Sequence, residues 1–203
     1  MSRTDLIIVG VLVGLVLTLA AGVHAQEHVW GTSSASLSSD PGFVGYWKYC
    51  LTITWDVTNY GGKPHALSHI SILLGLENCP RACDFGYFAF ADTVGYGTGE
   101  KGCTAHYYSY FECKGDPTIP VRMPTVKFEP YESGCEPGVA GTAVVCFYSV
   151  SPPRPIYPFL RPIWIKFGLN VTDGPLVGVL PNCINPSNAL EPSTWGAIKA
   201  LFD

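Results

Sequence analysis

Between residues 46 and 57 the chain alternates without a break. Trp47, Tyr49, Leu51, Ile53, Trp55 and Val57 fall on one side, and Lys48, Cys50, Thr52, Thr54 and Asp56 on the other. Only a β-strand has a period of two, so this stretch must set one face on a core and the other toward solvent. The turn signal Asn59-Tyr60-Gly61-Gly62 follows. Residues 66–74 then return with Ile70, Ile72 and Leu74 on one face, which predicts a hairpin of two paired strands.

Further short apolar runs stand at 87–90, 106–111, 126–128, 143–150, 163–169 and 176–180. Turn clusters separate them, including Gly95-Tyr96-Gly97-Thr98-Gly99, Lys114-Gly115-Asp116-Pro117 and Asp173-Gly174-Pro175. With no helix-length periodic segment between the runs, the expectation is an all-β antiparallel domain, a β-sandwich or a partly closed barrel; a parallel crossover fold is excluded. Pro152, Pro153, Pro155, Pro158 and Pro162 impose an extended connection between sheets.

Composition narrows the partners. Acidic residues number 16 against 12 basic ones, so no cationic surface exists for a phosphate backbone, and nucleic acid is not an expected partner. Aromatic residues make up 13% of the chain, which argues against disorder.

Residues 6–23 form an apolar run behind Arg3 and end at Val23-His24-Ala25. This reads as a signal peptide, residues 1–25, cleaved near Ala25, with an uncleaved anchor helix as the alternative. Secretion or display at the cell surface follows from either. Residues 26–42, rich in serine, read as a flexible lead-in, and residues 43–183 as the β-domain. All eight cysteines, Cys50, Cys79, Cys83, Cys103, Cys113, Cys135, Cys146 and Cys183, lie beyond the signal segment. An even count in an oxidising compartment predicts four disulfides, although eight thiols permit about 105 connectivities. Local pairing of Cys103 with Cys113 and of Cys135 with Cys146 is expected from their short separations. No Cys-x-x-Cys pair occurs, so no structural metal is expected.

Residues 184–203 differ in kind. A polar spacer leads to Ser193 or Thr194 as N-cap of a short helix whose face carries Trp195, Ile198, Leu201 and Phe202. Such a helix docks on its own domain or serves a partner or sorting system as an address.

Reaction chemistry is sparse. No Gly-x-Ser-x-Gly elbow is present. On a strand, His65 and His69 stand about 13 Å apart, too far for one metal ion, and His69 reads as a structural histidine. The carboxylates Asp84, Asp92, Glu100, Glu112, Asp116, Glu129, Glu132 and Glu136 read as solvated turn positions, without an Asp-x-Asp-x-Asp-Gly loop for a hard cation. Tyr108 and Tyr110, at alternate positions of one run, are the candidate stacking platform for a sugar ring or a partner. Asn170-Val171-Thr172 fits a glycosylation sequon.

In the order of several short motifs the chain resembles a loosely defined group of uncharacterised secreted, mostly bacterial, β-rich proteins. These are the strand Cys50-Leu51-Thr52-Ile53-Thr54-Trp55-Asp56-Val57, Ala66-Leu67-Ser68-His69 with Cys79, Val126-Lys127-Phe128, Ile165-Lys166-Phe167-Gly168, and Gly178-Val179-Leu180-Pro181-Asn182-Cys183. The resemblance implies a secreted sandwich-like domain and no activity. The tail from Ser193 to Phe202 is similar to short C-terminal tails on exported bacterial proteins, which implies sorting or attachment. The expected function is therefore a non-catalytic extracellular or surface protein, structural or adhesive, with no cofactor. Its expected partners are an extracellular glycan, surface matrix, sorting machinery or further copies joined through strand edges. The alternatives are a carbohydrate-binding module and a secreted hydrolase with an unrecognised carboxylate site.

Overall fold

The computed structural model describes residues 27–61, 65–74, 88–89, 95–131, 135–157 and 160–182. Thirteen strands are present among them: β1 (Val29–Leu37), β2 (Trp47–Asp56), β3 (Leu67–Leu73), β4 (Phe88–Ala89), β5 (Gly95–Thr98), β6 (Thr104–Glu112), β7 (Thr125–Pro130), β8 (Ala140–Ser149), β9 (Pro153–Pro155), β10 (Ile163–Phe167), β11 (Asn170–Gly174), β12 (Leu176–Val177) and β13 (Val179–Pro181).

The main sheet runs β11-β10-β3-β7-β6-β5-β8-β2-β1-β12, with β4 beside β8. Its two ends belong to one stretch of chain. Residues 170–174 pair antiparallel with β10, and after Pro175 residues 176–177 pair parallel with β1. Gly31 N donates to Pro175 O at 3.0 Å across this seam. The sheet thus curls into a nearly closed barrel and not into a sandwich. A Cβ at Gly174 would lie 1.9 Å from Val29 O, so the seam closes this tightly only because that residue has no side chain.

The barrel interior holds the predicted apolar faces. Tyr49, Leu51, Ile53 and Trp55 of β2, Ile70 and Ile72 of β3, Phe128 of β7, Phe147 of β8 and Phe167 of β10 are all buried in one cluster. Each contributes about 1.5–3 kcal/mol by leaving water.

Several expectations are corrected. The predicted hairpin of β2 and β3 does not form. Both edges of β2 are taken, by β1 and β8, and β3 pairs instead with β7 and β10 on the opposite wall. Residues 29–37, inside the segment read as a flexible lead-in, are strand β1, paired with β2 over its whole length. The turn cluster at 95–99 supplies strand β5; a Cβ at Gly95 would stand 2.5 Å from Val144 O, so glycine there permits close strand approach. One short parallel pair, β1 with β12, occurs in an otherwise antiparallel sheet.

The disulfides also differ from the local pairing. Cys50 joins Cys146 across β2 and β8, and Cys103 joins Cys135. Cys103 and Cys113 flank the two ends of β6 and so lie about 30 Å apart, beyond any disulfide. Cys113 is disulfide-bonded as well. Cys79, Cys83 and Cys183, the signal segment and the tail with Trp195, Ile198, Leu201 and Phe202 lie outside the described residues.

Candidate functional site

The outward faces of β3, β7 and β6 carry the densest polar chemistry. Alternation that sends Ile70, Ile72, Val126 and Phe128 inward sends His69, Ser71, Lys127, Glu129, Tyr108 and Tyr110 outward. These outward positions are not all in water, because the segment 113–124 folds back over them. Asp116 on that segment is wholly buried, as is Ser71, while His69 and Lys127 are nearly so.

Asp116 is the centre of the arrangement. Its Oδ2 accepts Ser71 Oγ at 2.8 Å and lies 2.8 Å from His69 Nε2. Its Oδ1 accepts the Thr118 amide at 2.8 Å and the Thr118 hydroxyl at 2.7 Å. That local loop is the reason a Gly-Asp-Pro-Thr turn can be pinned to a sheet. Lys127 Nζ stands 3.9 Å from Asp116 Oδ2 and 2.7 Å from Glu129 Oε1. Tyr110 OH donates to Glu129 Oε1 at 3.0 Å, and Tyr108 OH donates to Glu129 Oε2. The Tyr108 and Tyr110 rings stack with centroids 6.1 Å apart, and Lys127 Nζ lies 5.6 Å from the Tyr110 ring centre.

These contacts set the protonation states. Burial by itself would raise Asp116, but the Thr118 hydroxyl and amide, Ser71 and His69 outweigh it and hold the carboxyl at about 2. Burial, then the charge of Lys127, pushes His69 down to about 4, so the ring is neutral near pH 7; its Nε2 is hydrogen-bonded with Thr118 Oγ1 at 3.1 Å beside the Asp116 carboxylate. Burial also opposes ionisation of Glu129, yet Lys127 and the two tyrosines keep it below the ordinary glutamate range. Lys127 is held above the ordinary lysine range against its burial by Glu129 and Tyr110. Its hydrogen bond to Glu129 raises Tyr108 to about 12.

Chemically the set is closed upon itself. Ser71 gives its proton to a carboxylate and not to an imidazole, which is the wrong partner for a nucleophile. Asp116 and Glu129 both ionise more readily than usual, whereas glycoside hydrolysis needs one carboxyl raised to serve as acid. Among the described residues no three His, Cys, Asp or Glu side chains converge as a metal site.

The structure brings Tyr108 and Tyr110 together as the alternation predicts, half-buried and with both hydroxyls committed to Glu129. His69 is a buried, hydrogen-bonded histidine, and His65 lies exposed and apart from it. Asn170 is half-buried, opposite Phe167 on the inward side of β11. Asp116, Ser71, Thr118 and Lys127 were not singled out as a group from sequence. Lys127 between Val126 and Phe128 has the pattern of an exposed residue, and only the return of segment 113–124 buries it.

Two ion-pair anchors lie elsewhere. Arg161 holds Glu27 with both terminal nitrogens, at 2.8 and 2.7 Å, and Asp173 through Nε at 3.1 Å, beside the barrel seam. Asp40 accepts Lys48 at 2.7 Å and Tyr148 OH at 2.6 Å, which fixes the turn after β1. Comparison of the chain with protein-family models, with curated proteins and with solved structures finds no match.

Proposed function

We propose that the chain is a non-catalytic protein of the extracellular space or cell surface, with a structural or adhesive role. The single observation that carries this reading is the self-neutralised cluster: its carboxylates, lysine, histidine and hydroxyls are spent on one another beneath segment 113–124. A reaction centre keeps at least one such group in reserve for substrate. The pairs Cys50–Cys146 and Cys103–Cys135 suit an oxidising compartment. The C-terminal tail would serve sorting or attachment. Cell fractionation of the full chain and of a chain ending at Cys183 tests the placement. Recovery in the same soluble intracellular fraction for both would sink it.

A second reading, carbohydrate binding, is favoured by the stacked pair Tyr108 and Tyr110. Glycan binding lost in Tyr108→Ala/Tyr110→Ala would support it, and hydrolysis of any polysaccharide would overturn both readings.

A further inference from the structure

The largest exposed rings of the described barrel wall are not on the polar cluster. Trp30 of β1 is 43% exposed and Tyr96 of β5 is 58% exposed, and both point outward from the wall formed by β1, β2, β8, β5 and β6. Register places them in two adjacent rows that cross these five strands. One row runs Trp30, Thr54, Thr142, Thr98 and Thr104, and the next runs Thr32, Thr52, Val144, Tyr96 and His106. Thr54 Oγ1 and Thr142 Oγ1 are hydrogen-bonded at 3.0 Å, and Thr98 Oγ1 reaches Thr142 O at 3.4 Å. Neither row contains an Asp, Glu, Lys or Arg side chain.

We propose that this face binds a neutral polysaccharide strand, laid across the β-strands between Trp30 and Tyr96. The proposal rests on the adhesive reading and names its ligand class. Four strand steps of about 4.8 Å and two rows about 7 Å apart give a strip on the order of 250 Å². A stable contact with a second copy of this chain needs about 800 Å² per partner, so the strip is too small for a dimer but fits a narrow, linear occupant. Charge then selects among linear polymers. A nucleic acid or an acidic polysaccharide needs lysine or arginine, which the face lacks; an uncharged polymer meets no penalty. Sugar rings present C–H faces that stack on Trp30 and Tyr96, and hydroxyls that exchange hydrogen bonds with threonines, each able to donate and accept. The strands are held beneath the ligand by the barrel and by Cys50–Cys146, so little ordering accompanies binding.

Native gel affinity electrophoresis of the full exported chain tests this, with hydroxyethylcellulose, glycol chitin, galactomannan and, as polyanion, alginate in the gel. At least one neutral polymer is expected to retard the protein, with retardation kept at about 0.5 M salt. Trp30→Ala and Tyr96→Ala should each weaken it about tenfold, while Leu169→Ala, at an exposed turn elsewhere, leaves it unchanged. Thr52→Val keeps side-chain shape at an exposed position and should weaken binding without lowering the melting temperature, which separates binding loss from misfolding. Retardation by none of the neutral polymers, by alginate alone, or equally in Trp30→Ala overturns the proposal. Loss of binding in Tyr108→Ala/Tyr110→Ala with Trp30→Ala unaffected also overturns it, yet leaves the adhesive role standing. Hydrolysis of the retarding polymer would instead defeat the non-catalytic reading and leave this face intact.

Discussion

Strands β3 and β7 each build two different interiors. Ile70, Ile72, Val126 and Phe128 enter the hydrophobic cluster inside the barrel; one residue away, His69, Ser71 and Lys127 are buried almost as deeply beneath segment 113–124. The first interior gains from every methylene removed from water and depends on shape. The second is stable only while each charge keeps its partner, because an orphaned buried ion costs far more than a missing contact. Burial alone therefore says nothing about how a site will respond to mutation or to acid.

The largest expected effects come from breaking one group in each interior. Asp116→Ala leaves the Ser71 hydroxyl and the Thr118 amide and hydroxyl without their acceptor, takes away the carboxylate beside His69 and Lys127, and should cost about 3–5 kcal/mol in urea unfolding. Phe128→Ala should cost a similar amount, about 3–5 kcal/mol, through the cavity it opens. The two differ in coupling. Adding Ser71→Ala to Asp116→Ala removes a hydroxyl that has already lost its acceptor and should cost little more, whereas the same change added to Phe128→Ala should cost its full amount, because the Asp116 acceptor is still in place there. Equal behaviour in the two backgrounds would refute the distinction.

A smaller effect is expected from acid, and it belongs to the polar interior alone. Between pH 6.5 and about 4 the unfolded chain carries a proton on His69 that the folded chain does not, so lowering the pH favours unfolding. Between pH 3.8 and about 2 the same holds for Asp116. Urea midpoints measured from pH 7 to pH 3 should fall steadily, and His69→Gln should flatten the upper part of that fall. An unchanged slope in the variant would remove His69 from the account.

Smaller again is Ser71→Ala, which deletes one hydrogen bond to a buried carboxylate and should cost about 1.5–3 kcal/mol. Least is Tyr108→Phe at the half-buried rim, about 0.5–1 kcal/mol in the same assay. The phenol there should titrate near 12 by ultraviolet absorbance and shift toward the ordinary range in Glu129→Gln. A tyrosine spectrum insensitive to that substitution would detach Tyr108 from Glu129.

Alternation along the chain was enough to settle the all-β class, the inward face of β2 and the positions of β6, β7, β8 and β10, because side-chain direction on a strand is a local property. It also put Tyr108 and Tyr110 on one face. Partners are not local. That β2 pairs with β1 and β8, and β3 with β7 and β10, follows from how a curled sheet satisfies all its edges, and a turn signal after β2 carries no information about it. The serines of β1 and the glycines of β5 hid two strands, since their side chains add little apolar signal and their value lies in close approach to neighbours. Asp116 is a turn residue by sequence. It becomes the centre of a buried network only when segment 113–124 returns to β3, a meeting of residues 45 positions apart in Ser71 and Asp116 that no periodicity encodes. Cysteine content likewise implied cross-links, while the pairs Cys50–Cys146 and Cys103–Cys135 required the sheet to bring distant strands side by side.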